Sequence, residues 1–126
     1  MSKEKLSAFF TEYQKAFVQG NLDKIGEFFI YPCIIEKTPG DFTSFMASDV
    51  LKTFEKVPVD YFASIHVKSA DFEIVAVSNF AGNNVVCETI FNLYGVGGAL
   101  LGKVRWVYHM QDVNGTLKIL TAHFVP

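Results

Sequence analysis

The spacing of apolar residues changes about halfway along this chain of 126 residues, and that change most constrains the fold. Before residue 65 the apolar residues recur at steps of three and four, which predicts amphipathic helices. From residue 65 onward they alternate with polar residues, which predicts half-buried strands. Helices in one half and strands in the other favour an α+β fold, in which a curved antiparallel sheet forms a cone and three helices close its concave face.

The first two helices have recognisable ends. Residues 3–19 form the first helix, with Ser2 as its N-cap and Gly20 as the left-handed residue that ends it. Asn21 caps a short second helix, and Pro32 ends it because proline disfavours a helical conformation of the residue before it.

A strand pair and a third helix follow, and then a meander of long strands. The pair covers residues 33–37 and 42–46, and the third helix is capped by Ser48 and bounded by Pro58. The later strands are expected at residues 65–79, 85–94, 101–112 and 116–125, separated by glycine-containing turns.

The register of the last hairpin has two alternatives. A two-residue loop at Asn114 and Gly115 pairs Trp106 with His123, whereas a three-residue loop that includes Val113 pairs Trp106 with Ala122. We favour the second, because it gathers the apolar residues on one face. That face then holds Val104, Trp106, Tyr108, Met110, Leu120, Ala122 and Phe124.

The strand at residues 85–94 can also be placed in two ways. In one, its apolar set, with Phe91 and Leu93, faces the core, and Glu88 and Asn92 face solvent. In the other, Glu88 and Asn92 face the hollow under the sheet. The cost of burying a carboxylate favours the first from the residues alone.

Length and charge exclude several classes of protein. The chain is expected to form one domain over residues 1–126, and half of its residues are hydrophobic, unlike those of a disordered chain. A net charge of −2 argues against nucleic-acid binding, and no apolar stretch is long enough for a membrane span.

Cys33 and Cys87 have apolar neighbours, which is typical of reduced core cysteines in a cytoplasmic protein. The three histidines lack metal-ligand spacing, and no cofactor motif occurs.

Several segments resemble the nuclear transport factor 2-like, or SnoaL-like, superfamily along nearly the whole chain. They are residues 17–23 at the end of the first helix, Phe28-Phe29, Tyr31-Pro32, the hairpin at residues 114–119 and His123-Phe124. The resemblance implies a cone-shaped α+β barrel with an internal pocket, and a homodimer formed through the sheet. It also favours the second placement of residues 85–94, with Glu88 and Asn92 in the pocket.

Ketosteroid isomerase is the most informative enzyme of this superfamily for comparison. Tyr13 matches its helix tyrosine, but Lys37, with Glu36 beside it, occupies the position of the general base. The second acidic donor falls near Tyr108 or His109. The resemblance therefore implies that this chain does not isomerise ketosteroids by that mechanism.

The combined prediction is a pocket for a mainly apolar small molecule. Its expected lining is Tyr13, Tyr31, Phe54, Glu88, Asn92, Trp106, Tyr108 and Phe124. If the molecule is turned over, Glu88 is the expected proton-transfer group and Tyr13 the hydrogen-bond donor. The alternative is a dimeric association module with a filled interior, which uses the sheet surface around Arg105, His109 and His123.

Overall fold

The computed structural model describes residues 2–126 and forms three α-helices and one six-stranded sheet. The predicted domain also includes Met1, which lies outside the described residues. The helices are α1 (Lys3–Gln19), α2 (Leu22–Glu27) and α3 (Ser48–Ser64). The strands are β1 (Phe29–Thr38), β2 (Asp41–Phe45), β3 (Ser69–Phe80), β4 (Asn84–Tyr94), β5 (Leu100–Val113) and β6 (Thr116–Val125).

The strands lie side by side in the order β2-β1-β6-β5-β4-β3. Neighbours are antiparallel except β1 and β6, which are parallel. Within residues 2–126 the curved sheet keeps two edges, β2 and β3, so it is not closed into a barrel. The α+β class is confirmed, and the barrel implied by the resemblance is corrected to an open curved sheet.

The helices cover one face of the sheet, called here the helix-covered face, and the opposite face is called the open face. Helix α1 packs on the helix-covered face through five buried residues at helical spacing, namely Leu6, Phe9, Phe10, Tyr13 and Ala16. Both predicted ends of α1 are confirmed. The Ser2 side chain accepts a hydrogen bond from the Lys5 N–H, and Gly20 adopts a left-handed φ of 69°.

Helix α2 is shorter than the sequence predicts. It ends at Glu27, and β1 begins at Phe29, three residues before Pro32. The reason is the parallel pairing with β6, since the Phe28 carbonyl accepts a hydrogen bond of 2.8 Å from the Ile119 N–H. Pro32 is therefore a strand residue and does not end the helix.

Helix α3 is longer than predicted, because Pro58 lies inside it and the helix continues to Ser64. The helix ends in a Schellman arrangement, in which the N–H groups of His66 and Val67 donate to the carbonyls of Ala63 and Phe62. His66 has a φ of 61°, a conformation usually taken by glycine. The strand predicted from residue 65 consequently begins only at Ser69.

The last hairpin has the two-residue loop of the first predicted register, but neither predicted partner of Trp106. Its loop has two residues, Asn114 and Gly115, both at positive φ as a type I′ turn requires. An irregularity beside His109 and Met110 then shifts the pairing, so that Trp106 lies opposite Phe124. The preferred three-residue loop was wrong. The predicted grouping of Trp106, Tyr108, Ala122 and Phe124 on one face is nevertheless what the bulge produces.

No helix within residues 2–126 combines the length and apolarity that a membrane crossing requires.

Candidate functional site

A cavity of about 550 Å³ lies between the helix-covered face, α1 and α3. Its helical side includes Tyr13, Gln14, Phe17, Phe54, Glu55 and Tyr61. Its sheet side includes Ile35, Phe91, Leu93, Trp106, Tyr108 and Phe124. Val57 and Tyr61 line the cavity and are also exposed to solvent, so the cavity opens beside the C-terminal half of α3.

Nine of the twenty residues that line the cavity are aromatic, and they come from α1, α3, β4, β5 and β6. The Trp106 ring packs edge-on against Phe124, with centroids 5.4 Å apart, and stacks on Tyr108 at 6.2 Å. Phe54 enters from α3 and contacts Phe45 edge-on at 4.9 Å. These contacts hold the rings against one another and leave the space beside them unfilled.

Tyr13 and Tyr108 meet at the buried end of the cavity. Their rings are nearly perpendicular, with centroids 5.7 Å apart. Burial raises the pKa of both phenols well above their usual range. Both groups are therefore neutral near pH 7 and remain capable of hydrogen bonding.

Glu55 is the acidic residue of the cavity, and it was missed by the sequence interpretation. It follows Leu51 by one helical turn on the buried stripe of α3, and only 6% of its surface is exposed. Burial alone raises the pKa of its carboxyl group to about 7. Among residues 2–126, no hydrogen bond or ion pair to this carboxyl group is found. Such a group can donate or accept a proton near neutral pH.

Gln14 adds a second polar group to the same wall. Its amide oxygen is buried and has no hydrogen-bond partner among the described residues. An unpaired buried acceptor costs free energy unless a ligand or water donates to it. Gln14 follows Tyr13 on α1, and the helical stripe used for the sequence prediction did not include it.

The structure therefore brings five of the eight predicted lining residues together. Tyr13, Phe54, Trp106, Tyr108 and Phe124 surround the cavity. Their role in binding stays a prediction.

The expected placement of Glu88 and Asn92 in the cavity is corrected by the structure. The apolar alternates of β4, Phe91 and Leu93, face the cavity. Glu88 lies on the open face, 3.2 Å from Arg105, where its charge has a partner and access to water. Asn92 lies on the same face and donates to Asp71 over 2.7 Å.

Tyr31 also lies outside the cavity lining. Its hydroxyl group donates to the Gly26 carbonyl over 2.7 Å, which ties β1 to the end of α2. That bond turns the ring toward the helix pair rather than toward the hollow.

The sequence of this chain matches a known protein family. The family model described as "NTF2-like protein (DUF6841)" matches residues 3–126. The chain belongs to this NTF2-like family. No curated protein matches the chain by sequence.

Solved structures share its fold at low sequence identity. Aln2 from a Streptomyces species is 11% identical, with a TM-score of 0.78 over 98% of this chain and 91% of that chain. An NTF2-like protein of unknown function from Shewanella oneidensis is 12% identical, with a TM-score of 0.74 over 98% of both chains. A proposed dehydratase of the NTF2-like family from Streptomyces avermitilis is 13% identical, with a TM-score of 0.68 over 98% of this chain and 94% of that chain.

The two residues at the expected general-base position of this NTF2-like chain point in different directions. Lys37 lines the cavity mouth, and its ammonium group lies 5.8 Å from the centre of the Phe54 ring. Glu36 lies on the open face, where it accepts from His123 at 2.8 Å and from the Gly40 N–H at 2.9 Å. A carboxylate thus enters the cavity from α3, not from β1.

Cys33 and Cys87 are buried free thiols, as predicted, and burial raises the pKa of each to about 11. They are therefore protonated near neutral pH. Across residues 2–126, no cluster of three or more histidine, cysteine or acidic side chains has the geometry to hold a metal ion.

Proposed function

We propose that this NTF2-like domain binds a mainly apolar small molecule in the cavity between α1, α3 and the helix-covered face. The observation that carries the proposal is an open space of about 550 Å³ with a mainly apolar wall, rich in aromatic rings, and few polar groups. Small-molecule sites commonly have volumes of roughly 300–1,000 Å³ and this kind of lining. A domain that used only its sheet surface would be expected to fill this space with its own side chains.

The polar groups of the cavity would orient the bound molecule. Glu55 and the unpaired oxygen of Gln14 can accept hydrogen bonds from it, and Tyr13 lies beside Tyr108 at the buried end. On this proposal, the proton-transfer role that the sequence assigned to Glu88 belongs to Glu55. Its pKa of about 7 lets it exchange a proton with a bound molecule near neutral pH.

Filling the cavity tests the proposal. Ala70 lies on β3 at the cavity wall, and Ala70→Phe places a ring in the space that a ligand needs. Nile red, an uncharged apolar dye, should bind the unaltered protein with increased fluorescence. Ala70→Phe should weaken that binding by about tenfold or more, because the ligand loses buried apolar contact.

Ala76→Phe is the matched control, since Ala76 is on the same strand opposite Glu88 and therefore on the open face. It should leave the Nile red affinity unchanged. Equal affinity of all three proteins, or no binding to the unaltered protein, contradicts the proposed function. Circular dichroism shows whether Ala70→Phe keeps its fold, and Ala122→Leu provides a second filled cavity.

A further inference from the structure

The Glu55 carboxyl group is buried and lacks, within the described part of the chain, the cation and the hydrogen-bond donor that a bound ligand could supply. Only 6% of the residue is exposed to solvent, and no cation or N–H group among residues 2–126 contacts its carboxyl group. Burying a carboxylate without a partner is costly, and the cost is recovered when a cation and a hydrogen-bond donor approach it. Lys37 lines the same cavity, but its side chain is exposed and its ammonium group lies over the Phe54 ring.

The wall around Glu55 is also suited to a cation. Rings of Phe17, Phe54, Trp106 and Phe124 line the cavity. The faces of aromatic rings carry negative partial charge and attract ammonium groups, more strongly when water is excluded. The lysine ammonium over Phe54 is an example of this contact at the cavity mouth.

The hydrogen-bonding atoms of the cavity that have no partner within residues 2–126 are acceptors, so a ligand that donates hydrogen bonds would pair with them. The Gln14 oxygen is buried without a partner among the described residues, and Glu55 in its ionised form only accepts. An ammonium group carries up to three N–H donors, and its positive charge makes it a counterion for the Glu55 carboxylate.

We infer that the cavity selects an apolar ligand that carries an ammonium group, with the Glu55 carboxylate as its counterion and the aromatic wall around its hydrocarbon part. The inference rests on the proposed function and adds the chemical class of the ligand. A neutral alcohol of the same shape can donate a hydrogen bond to Glu55, but it gains neither the charge pairing nor the attraction to the rings.

Matched probes measure this selectivity. 4-Phenylbutylamine and 4-phenylbutan-1-ol share a ring and chain and differ in the head group, and isothermal titration at pH 8 gives the affinity of each. The amine should bind the unaltered protein about tenfold more tightly than the alcohol, the ratio expected for one charge-assisted hydrogen bond. Glu55→Gln should bind both with similar affinity, because it keeps the shape and removes the charge.

Glu88→Gln is the matched control, since it removes a carboxylate from the open face and should retain the preference for the amine. Binding of the alcohol to Glu55→Gln shows that this variant is folded and its cavity intact. Equal affinities for the two probes, or a preference that survives in Glu55→Gln, overturn the inference and leave the proposed function standing. If neither probe binds while Nile red does, the inference alone fails; if Nile red also fails to bind, the proposed function fails with it.

Discussion

At the scale of single residues, ionisation of the buried Glu55 carboxyl group lowers the stability of the folded protein. A carboxyl group in water has a pKa near 4.5, and burial raises it to about 7. The folded state therefore holds the proton more tightly than the unfolded state, so the stabilising contribution of protonation is complete below pH 4.5 and is lost as the pH rises to about 7. The neighbouring groups Tyr13, Cys33 and Tyr108 have raised pKa values and stay neutral over this range.

Glu55→Gln should remove this pH dependence. At pH 8 the variant is expected to exceed the unaltered protein in free energy of unfolding by about 3 kcal/mol, from roughly 1.4 kcal/mol per pKa unit. At pH 4.5 the difference should be small. Urea unfolding at the two pH values, followed by circular dichroism, measures it. A difference that is the same at both pH values contradicts the assigned environment of Glu55.

At the scale of elements, the turn between β5 and β6 and the irregularity beside His109 and Met110 together set the register that brings Trp106 and Phe124 to the cavity. Gly115 has a φ of 89°, and a Cβ added there would meet no atom within 4 Å, so the cost of a side chain is purely conformational. Gly115→Ala should lower the free energy of unfolding by about 1 kcal/mol, because an L-residue is strained in the left-handed region. Gly102→Ala, equally unobstructed and at a φ that side chains accept, is its control and should not lower stability. Thermal unfolding of the two variants compares them; equal midpoints would mean that the turn is not type I′.

The elements that could be predicted from sequence are those whose signals are local. The spacing in α1 and the glycine that ends it identify the helix and its buried face, including Tyr13. Alternation identified β4, β5 and β6 to within one residue at each end. The extent of α3 could not be predicted, because Pro58 is a helix breaker in isolation and His66 replaces the usual glycine at the helix end.

The site was predicted less well because it depends on contacts between distant elements. Ending α3 at Pro58 left Glu55 near a helix end, although its position four residues after Leu51 is a signal for the buried stripe. Either face of β4 was plausible from its residues, and the resemblance to the superfamily selected the wrong one. The cost of burying Glu88, which favoured the other face from the residues alone, indicated the correct one.

At the scale of the whole molecule, the open face is the surface through which the family resemblance implies a homodimer. Two of its carboxylates have partners within the chain: Glu88 lies 3.2 Å from Arg105, and Glu36 lies 2.8 Å from His123. Half-buried Val107 lies between these pairs, opposite both Glu88 and His123. Carboxylates that keep a partner cost less to desolvate against a second copy of the chain than unpaired ones do, and burial of the aliphatic centre is favourable.

We therefore predict that the protein sediments with the mass of two chains at micromolar concentration. Val107→Lys puts a positive charge at the centre of the face, and two-fold symmetry would bring two such charges together, so this variant should sediment as one chain. Val96→Lys adds the same charge in the exposed segment between β4 and β5 and should remain a dimer. Sedimentation velocity distinguishes these species. A single-chain mass for the unaltered protein, or a Val107→Lys variant that stays dimeric, would remove the open face as the site of self-association and leave the cavity on the other face as the functional part of the domain.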